Sequence, residues 1–331
     1  MLKKKVLTLK KSMKSSPMQV NDRVKTDHIG LEAFKELHDE FISLKTLEGV
    51  APRTMKDYSN NHRYFMNFLE GMTRSSENRM VDIHLLRSYL NYMVHDMQYK
   101  PTTVNVRLRN LKTYLRWLYR EKYINDDLSI RLKLMKVPVD TVHPLNDSQV
   151  KKMLSAPDTS SYSGYRDFCI MILILDTGIR INECINVKVS DINLPSRILD
   201  VRADTSKVRV FRQLPLSSKC SKLLKELISI ADDSSCEYVF QSLYGGKMDG
   251  HQITCNFRKY GKQMGIKQRC TPHAFRHTFA TNFVKGGGGV FTLQKMLGHS
   301  TLDMSRRYIQ LDNTHLRKKH KEASMLEKYL K

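Results

Sequence analysis

No Cys-x-x-Cys pair occurs in this chain. Its six cysteines (Cys169, Cys184, Cys220, Cys236, Cys255 and Cys270) stand 15 to 36 residues apart, a spacing that does not suit a zinc site. Cys169 and Cys184 fall in apolar helical patterns, where a free thiol acts as a small hydrophobe, and a reducing compartment is the simpler reading. Long apolar runs are missing too. The longest, Phe168 to Leu175, has eight residues, against roughly 20 needed to span a bilayer. The N-terminus is basic but lacks the apolar core of a signal peptide, and no lipidation signal or basic helix with bulky apolar anchors is evident. A cytoplasmic protein with no membrane partner is the expectation. Acidic clusters and His-rich spacings of the kind used by two-metal nucleases are absent as well, and no internal repeat is evident.

What is present is positive charge. Lys and Arg number 56 against 33 Asp and Glu, a formal net charge of +23 with a pI near 9.7. A field of that sign favours a polyanion, and nucleic acid is the first candidate. The length of 331 residues favours two domains.

Residues 1–28 carry eight Lys/Arg among Ser, Thr and Met with little periodicity. They read either as a flexible, solvated extension or as a basic arm that orders on DNA. From 29 to 130 the pattern is helical throughout, with four amphipathic stripes. These contain Phe34, Leu37 and Phe41; Tyr58, Tyr64, Phe65 and Phe68; Leu85, Leu86, Tyr89, Leu90 and Met93; and Val104, Leu108, Leu111, Leu115 and Leu118. Pro52 and Pro101 mark helix starts. Arg107, Arg109, Lys112 and Arg116 run along the fourth helix, as a solvated face or a phosphate-facing one. A linker at 131–143 forms the domain boundary.

The second domain, 144–331, mixes element types. Asp147 is read as the cap of a helix through Met153, and a long buried helix runs from about Gly164 to Thr177. Strand signals follow at Ile198–Arg202 and Val208–Leu214, with Pro215 stopping the second strand. Helices are expected near 218–231, 249–264, 272–285, 290–297 and 301–309, and a basic amphipathic one at 313–330. The fold class is therefore mainly α with a small β-hairpin or sheet.

Four ordered pieces carry chemistry: Thr177-Gly178-Ile179-Arg180-Ile181-Asn182-Glu183, His273-Ala274-Phe275-Arg276, Gly298-His299, and Tyr308. Cutting a phosphodiester without a metal needs cations on the equatorial oxygens, a nucleophile that loses a proton and a leaving oxygen that gains one. Arginine forks suit the first task at any working pH. Arg180 opens a helix, a place that favours an anion, and Glu183 is spaced to orient it. His273 and Arg276, at i and i+3, share one helix face. His299 follows a helix C-terminus, and Tyr308 lies beside Arg306 and Arg307, whose charges ease phenolate formation. Each piece alone has a bland reading as a surface arginine, a turn histidine or one of fifteen tyrosines. The ordered set does not.

Thr-Gly-Ile-Arg-x-x-Glu, His-x-x-Arg, Leu-Gly-His and a Tyr nine residues later resemble the tyrosine recombinase (phage-integrase-like) family. The resemblance covers the second domain nearly completely, and the helical first domain looks like the family's core DNA-binding domain. It implies that Arg180 and Arg276 clamp the phosphate, Tyr308 attacks and becomes linked to the 3′ phosphate, His273 transfers a proton and His299 hydrogen-bonds the phosphate. The family's lysine, the general acid for the 5′ oxygen, sits in a hairpin shortly before a Pro-Leu. That maps onto Lys207, eight residues before Pro215, in a Ser-Lys-Val context where Gly-Lys-Gly is frequent. The run Gly286-Gly287-Gly288-Gly289 also departs from the family pattern and reads as a mobile loop. The implied partners are double-stranded DNA recombination sites, a homotetramer on two sites with a dimer on each, and accessory DNA-bending or directionality factors. Neither a metal nor a nucleotide cofactor is implied. Helix 313–330 would dock on a neighbouring protomer. Integration or excision of a mobile element is the favoured role; an Xer-like dimer resolvase, a type IB topoisomerase-like relaxer and a non-catalytic DNA-binding protein are the alternatives.

Overall fold

A computed structural model describes residues 28–71, 80–137, 144–205, 210–231 and 236–298. Lys207, His299, Tyr308 and the helices expected at 301–309 and 313–330 lie outside the described residues. The chain divides into two compact units, residues 1–139 and 140–331.

The first unit is built from α1 (Leu31–Leu47), α2 (Pro52–Gly71), α3 (Ile83–Asn91), α4 (Pro101–Arg120) and a short α5 (Leu128–Arg131). Each long helix buries one stripe, because only a helical period of 3.6 brings the apolar positions onto one face. Phe34, His38 and Phe41 do so on α1, Phe65, Phe68 and Leu69 on α2, and Val104, Leu108, Leu111, Leu115 and Leu118 on α4. Phe34 is the hub, edge-on to Phe65 at 5.5 Å and to Tyr114 at 4.9 Å. Tyr114 also donates its hydroxyl to the Phe34 carbonyl at 2.6 Å.

Sequence periodicity missed several features of this unit. A two-residue pairing of β1 (Ile29–Gly30) with β2 (Met80–Val81) closes it. His38 joins the core, its ring stacked 3.8 Å from that of His62. Burial lowers the pKa of both rings to about 4, so they pack as neutral aromatics at neutral pH. Tyr64, counted in the apolar stripe, is exposed and holds the Arg107 guanidinium over its ring at 4.1 Å, with Tyr99 at 4.3 Å from the same group. The basic run on α4 is thereby divided. Arg107 is pinned, Lys112 donates to the Leu132 carbonyl at 2.6 Å, and Arg109 and Arg116 face solvent. Leu132 is buried, and Asn105 exchanges two hydrogen bonds with the Met135 backbone.

The second unit is centred on α7 (Tyr162–Thr177), whose Cys169, Ile170, Met171, Leu173 and Ile174 are fully buried. Around it stand α6 (Asp147–Leu154), α8 (Ile181–Cys184), α9 (Ser218–Ile230), α10 (Gly250–Gln263), α11 (Pro272–Lys285) and α12 (Val290–Leu297). Asn146, not Asp147, caps α6, in a reciprocal capping box with Gln149. The sheet has three strands rather than two, with β4 (Ile198–Val201) between β3 (Ile192–Asn193) and β5 (Arg212–Pro215), all antiparallel. Val208 lies outside the described residues; β5 begins at Arg212, and the described Val210 and Phe211 before it are not in the strand. Pro215 is its last residue, opposite Ile198, and is tolerated there because the strand is at the edge. The glycine run is a defined turn: Gly286 and Gly288 donate backbone N–H bonds to Asn282 and Phe283, and Gly287 has φ +90°. A Cβ on Gly288 would lie 2.2 Å from the Phe283 ring.

One buried ionic network ties this unit together. Arg166 and Asp167 are 4% and 1% exposed. Asp167 accepts from Arg166 Nε and Nη2 on one oxygen, and from Asn256 at 2.7 Å and Tyr260 at 3.0 Å on the other. Arg166 also donates to the Gln241 carbonyl at 2.8 Å. Removing one partner strands the other charge out of water. Asp167→Ala is expected to cost about 3–5 kcal/mol in urea unfolding; a loss below about 1 kcal/mol would show that the pair is dispensable.

Candidate active site

Thr177-Gly178-Ile179-Arg180 is a helix stop followed at once by a helix start. Gly178 ends α7 in the left-handed conformation at φ +68°, the Thr177 hydroxyl donates back to the Leu173 carbonyl at 2.7 Å, and Ile179 is buried. Arg180 then occupies the N-cap of α8, and Glu183 reaches back to its N–H at 3.0 Å. A side chain at 178 has nowhere to go: a Cβ would lie 2.4 Å from Phe279 and 2.6 Å from Leu297. Gly178→Ala is therefore expected to destabilise the unit by roughly 1–3 kcal/mol from strain and overlap together. An unchanged melting temperature would contradict it.

The last turn of α12 organises the site. A helix C-terminus leaves carbonyls without intrahelical donors and carries the negative end of the helix dipole. Here three consecutive carbonyls each receive an arginine from a different element. Arg212 Nε of β5 donates to Met296 at 2.8 Å, Arg276 Nη2 of α11 to Leu297 at 2.7 Å, and Arg180 Nη2 to Gly298 at 2.9 Å. Arg276 Nη1 also donates to the Gly178 carbonyl at 2.5 Å. Arg180 and Arg276 are thus neighbours on adjacent carbonyls, although 96 residues separate them in sequence.

Glu183 is the counterion. Its two oxygens accept from Arg180 Nη1 at 3.1 Å, from Arg212 Nη1 at 3.1 Å and Nη2 at 2.6 Å, and from the Arg180 backbone. Burial opposes the charge on Glu183. The hydrogen bond and charge of Arg212, followed by those of Arg180, outweigh that, and the carboxyl stays below its usual pKa. Three guanidinium groups against one carboxylate leave a formal +2 on these four residues, 3 − 1. Arg276 and Arg212 are each 5% exposed, whereas Arg180 opens to solvent at 23% of its side-chain surface. Such a cluster suits an anion with several oxygens.

His273 stands one turn before Arg276 on α11, after the N-cap Thr271, whose hydroxyl accepts from Ala274, and after Pro272 at the first helical position. Partial desolvation, then the charges of Arg276 and Arg180, hold its pKa below the ordinary imidazole value. The ring is exposed at the surface and is neutral at pH 7, free to accept a proton. Of the six residues singled out in the sequence, the structure brings Arg180, His273 and Arg276 together. Arg212 was missed. It shares strand parity with Leu214 and Leu216, both buried, so an arginine on an inward-facing position was the available signal. Among the described residues, no group of three or more His, Cys, Asp or Glu is placed to hold a metal ion, and no helix is long and apolar enough to cross a membrane.

Comparison with known proteins places this geometry. The model of the phage integrase family matches residues 144–315, just over half of the chain. Tyrosine recombinase XerC of Chlamydia caviae is 24% identical over 301 residues, covering 85% of this chain and 95% of its own. Tyrosine recombinase XerA of Thermococcus onnurineus is 29% identical over 303 residues, covering 90% and 98%. In fold, the chain is similar to the Tn1549 transposon integrase in complex with a circular intermediate DNA, with a TM-score of 0.69 at 18% identity, covering 87% of this chain and 99% of that one. An arginine pair set on one helix end, a two-unit fold shared with an integrase and a family match across the second unit converge: the chain belongs to the phage integrase family, the tyrosine-type site-specific DNA recombinases.

Proposed function

We propose that the chain integrates or excises a mobile element by cutting and rejoining DNA at paired sites. Arg180 and Arg276 hold two oxygens of the scissile phosphate. The Tyr308 oxygen attacks phosphorus, its proton passes to His273, and the bond to the 5′ oxygen breaks as Lys207 supplies that oxygen with a proton. The products are a 3′-phosphotyrosyl ester and a free 5′ hydroxyl, with His299 hydrogen-bonded to the phosphate. The 5′ hydroxyl of a partner strand reverses the steps, one ester being exchanged for another. The observation that carries this reading is the adjacency of Arg180 and Arg276 on the carbonyls of Leu297 and Gly298, a fixed pair of forks beside a neutral imidazole. Removing such preorganised donors is costly to a transition state that gathers negative charge.

In the same reading, residues 29–130 form the core DNA-binding domain, with the solvent-facing Arg109 and Arg116 against phosphates. Residues 131–143 are the linker and 144–331 the catalytic domain. Residues 1–28 reach the duplex as a basic arm, and four copies assemble on two sites, helix 313–330 docking between protomers. Accessory bending or directionality factors act on the assembly. A second reading, an Xer-like resolvase of chromosome or plasmid dimers, is favoured by the near end-to-end match to recombinases named XerC and XerA.

The test is covalent trapping. Protein is incubated with a nicked duplex recovered by binding selection from a random library, then run on a denaturing gel. A covalent adduct that forms in EDTA is expected. Selected duplexes that bind tightly yet never yield an adduct would support a non-catalytic DNA-binding protein instead. Products joining an element's own ends into a circle would favour mobility over resolution.

A further inference from the structure

We propose that Arg212 is a positioning residue for strand cleavage: by sharing Glu183 and capping α12, it leaves the Arg180 guanidinium turned toward the phosphate. This rests on the reading that Arg180 grips the scissile phosphate.

The chemistry begins with Glu183, whose side chain is 1% exposed. A carboxylate there has about four acceptor positions and no water to fill them. Arg212 takes one on each oxygen, at 3.1 and 2.6 Å, in the two-pronged geometry that only arginine offers. The Arg180 backbone N–H takes a third. The Arg180 side chain is left with a single contact through Nη1 at 3.1 Å, and its other terminal nitrogen reaches the Gly298 carbonyl. Without Arg212, the buried carboxylate has one strong cation in reach, and the same electrostatics that now favour a shared pair would draw Arg180 into a closed bidentate one.

The second contact works in the same direction. Arg212 Nε holds the Met296 carbonyl, and its guanidinium passes so close to Gly298 that a Cβ there would lie 3.2 Å from Nη1. Gly298 is left-handed, φ +59°, and its carbonyl is the Arg180 acceptor. One side chain therefore sets both ends of Arg180's hydrogen-bonding frame: the carboxylate on one side and the turn bearing the Gly298 carbonyl on the other. Arg212 spends both terminal nitrogens on the Glu183 carboxylate, which neutralises its charge, and Nε on Met296, so it acts through Arg180 rather than on DNA.

The test compares single-turnover adduct formation at saturating protein on two nicked duplexes, one with the natural scissile phosphate and one with a neutral methylphosphonate at that position. Arg212→Met, Arg212→Lys and Arg180→Ala are run beside the wild type, each checked for folding by melting and for binding to intact duplex. Arg212→Met is expected to lose at least about tenfold on phosphate, the scale of a misplaced catalytic group. Its loss on methylphosphonate should be clearly smaller, because a neutral centre asks less of a cation, and Arg180→Ala should show the same asymmetry. Arg212→Lys, which keeps charge but not the fork, should fall between. If Arg212→Met does not fold, Arg212→Lys, which keeps a cation beside the buried Glu183 carboxylate, carries the comparison alone, with a larger loss on phosphate than on methylphosphonate expected. Equal losses on both substrates, or no loss on phosphate, would overturn the proposal and leave Arg212 a packing residue. Absence of any wild-type adduct would instead defeat the cleavage reading.

Discussion

Tyr308→Phe is expected to bind duplex DNA as the wild type does and to form no covalent adduct on a nicked substrate. The change removes one oxygen, the atom that would bond to phosphorus, and keeps the ring. No neighbouring side chain can replace it without reaching the same in-line position, so the loss should be complete rather than graded. A denaturing gel decides this directly. Adduct persisting in Tyr308→Phe would move the nucleophile to another tyrosine. Mass spectrometry of the trapped wild-type peptide should place the nucleotide on residue 308.

Arg276→Lys should be the next most damaging change. It keeps the charge, yet a lysine offers one ammonium where Arg276 now spans two carbonyls, Gly178 at 2.5 Å and Leu297 at 2.7 Å. Those contacts fix the plane of the guanidinium, and a flexible ammonium cannot reproduce that plane. The rate of adduct formation is expected to fall by about 10²–10³, the usual cost of losing one preorganised donor to a developing oxyanion. Binding to intact duplex should be unaffected. A loss within about threefold would mean that charge alone suffices at this position, contrary to the geometric argument.

Much of this site was legible in the chain because its motifs are local. Thr177 to Glu183 is a complete stop-and-start signal within seven residues, and both the left-handed Gly178 and the Arg180–Glu183 pairing follow from spacing. His273 and Arg276 sit one turn apart on a helix announced by Thr271-Pro272. The long helical stripes were equally plain, since three to five apolar residues at helical period leave little choice. Arg212 was only half legible. Its strand parity with Leu214 and Leu216 turns it inward, but its partners, Glu183 and Met296, lie 29 and 84 residues away, so nothing local shows what it meets there. The same holds for the Arg166–Asp167 pair, which looks like a surface ion pair until Asn256 and Tyr260 arrive from α10. Short strands were misjudged because pairing, rather than propensity, sets where β5 begins.

The α12 cap has a bearing on how DNA is met. Arg180, Arg212 and Arg276 are long side chains that would each lose rotamer freedom if they were ordered by the duplex. They are ordered instead by carbonyls of their own chain, at Gly178, Met296, Leu297 and Gly298. That entropy is surrendered once, during folding, and does not recur at each encounter with a recombination site. Differences in affinity between one DNA sequence and another must then arise elsewhere, in the surfaces that meet base edges and in the pliability of the duplex itself.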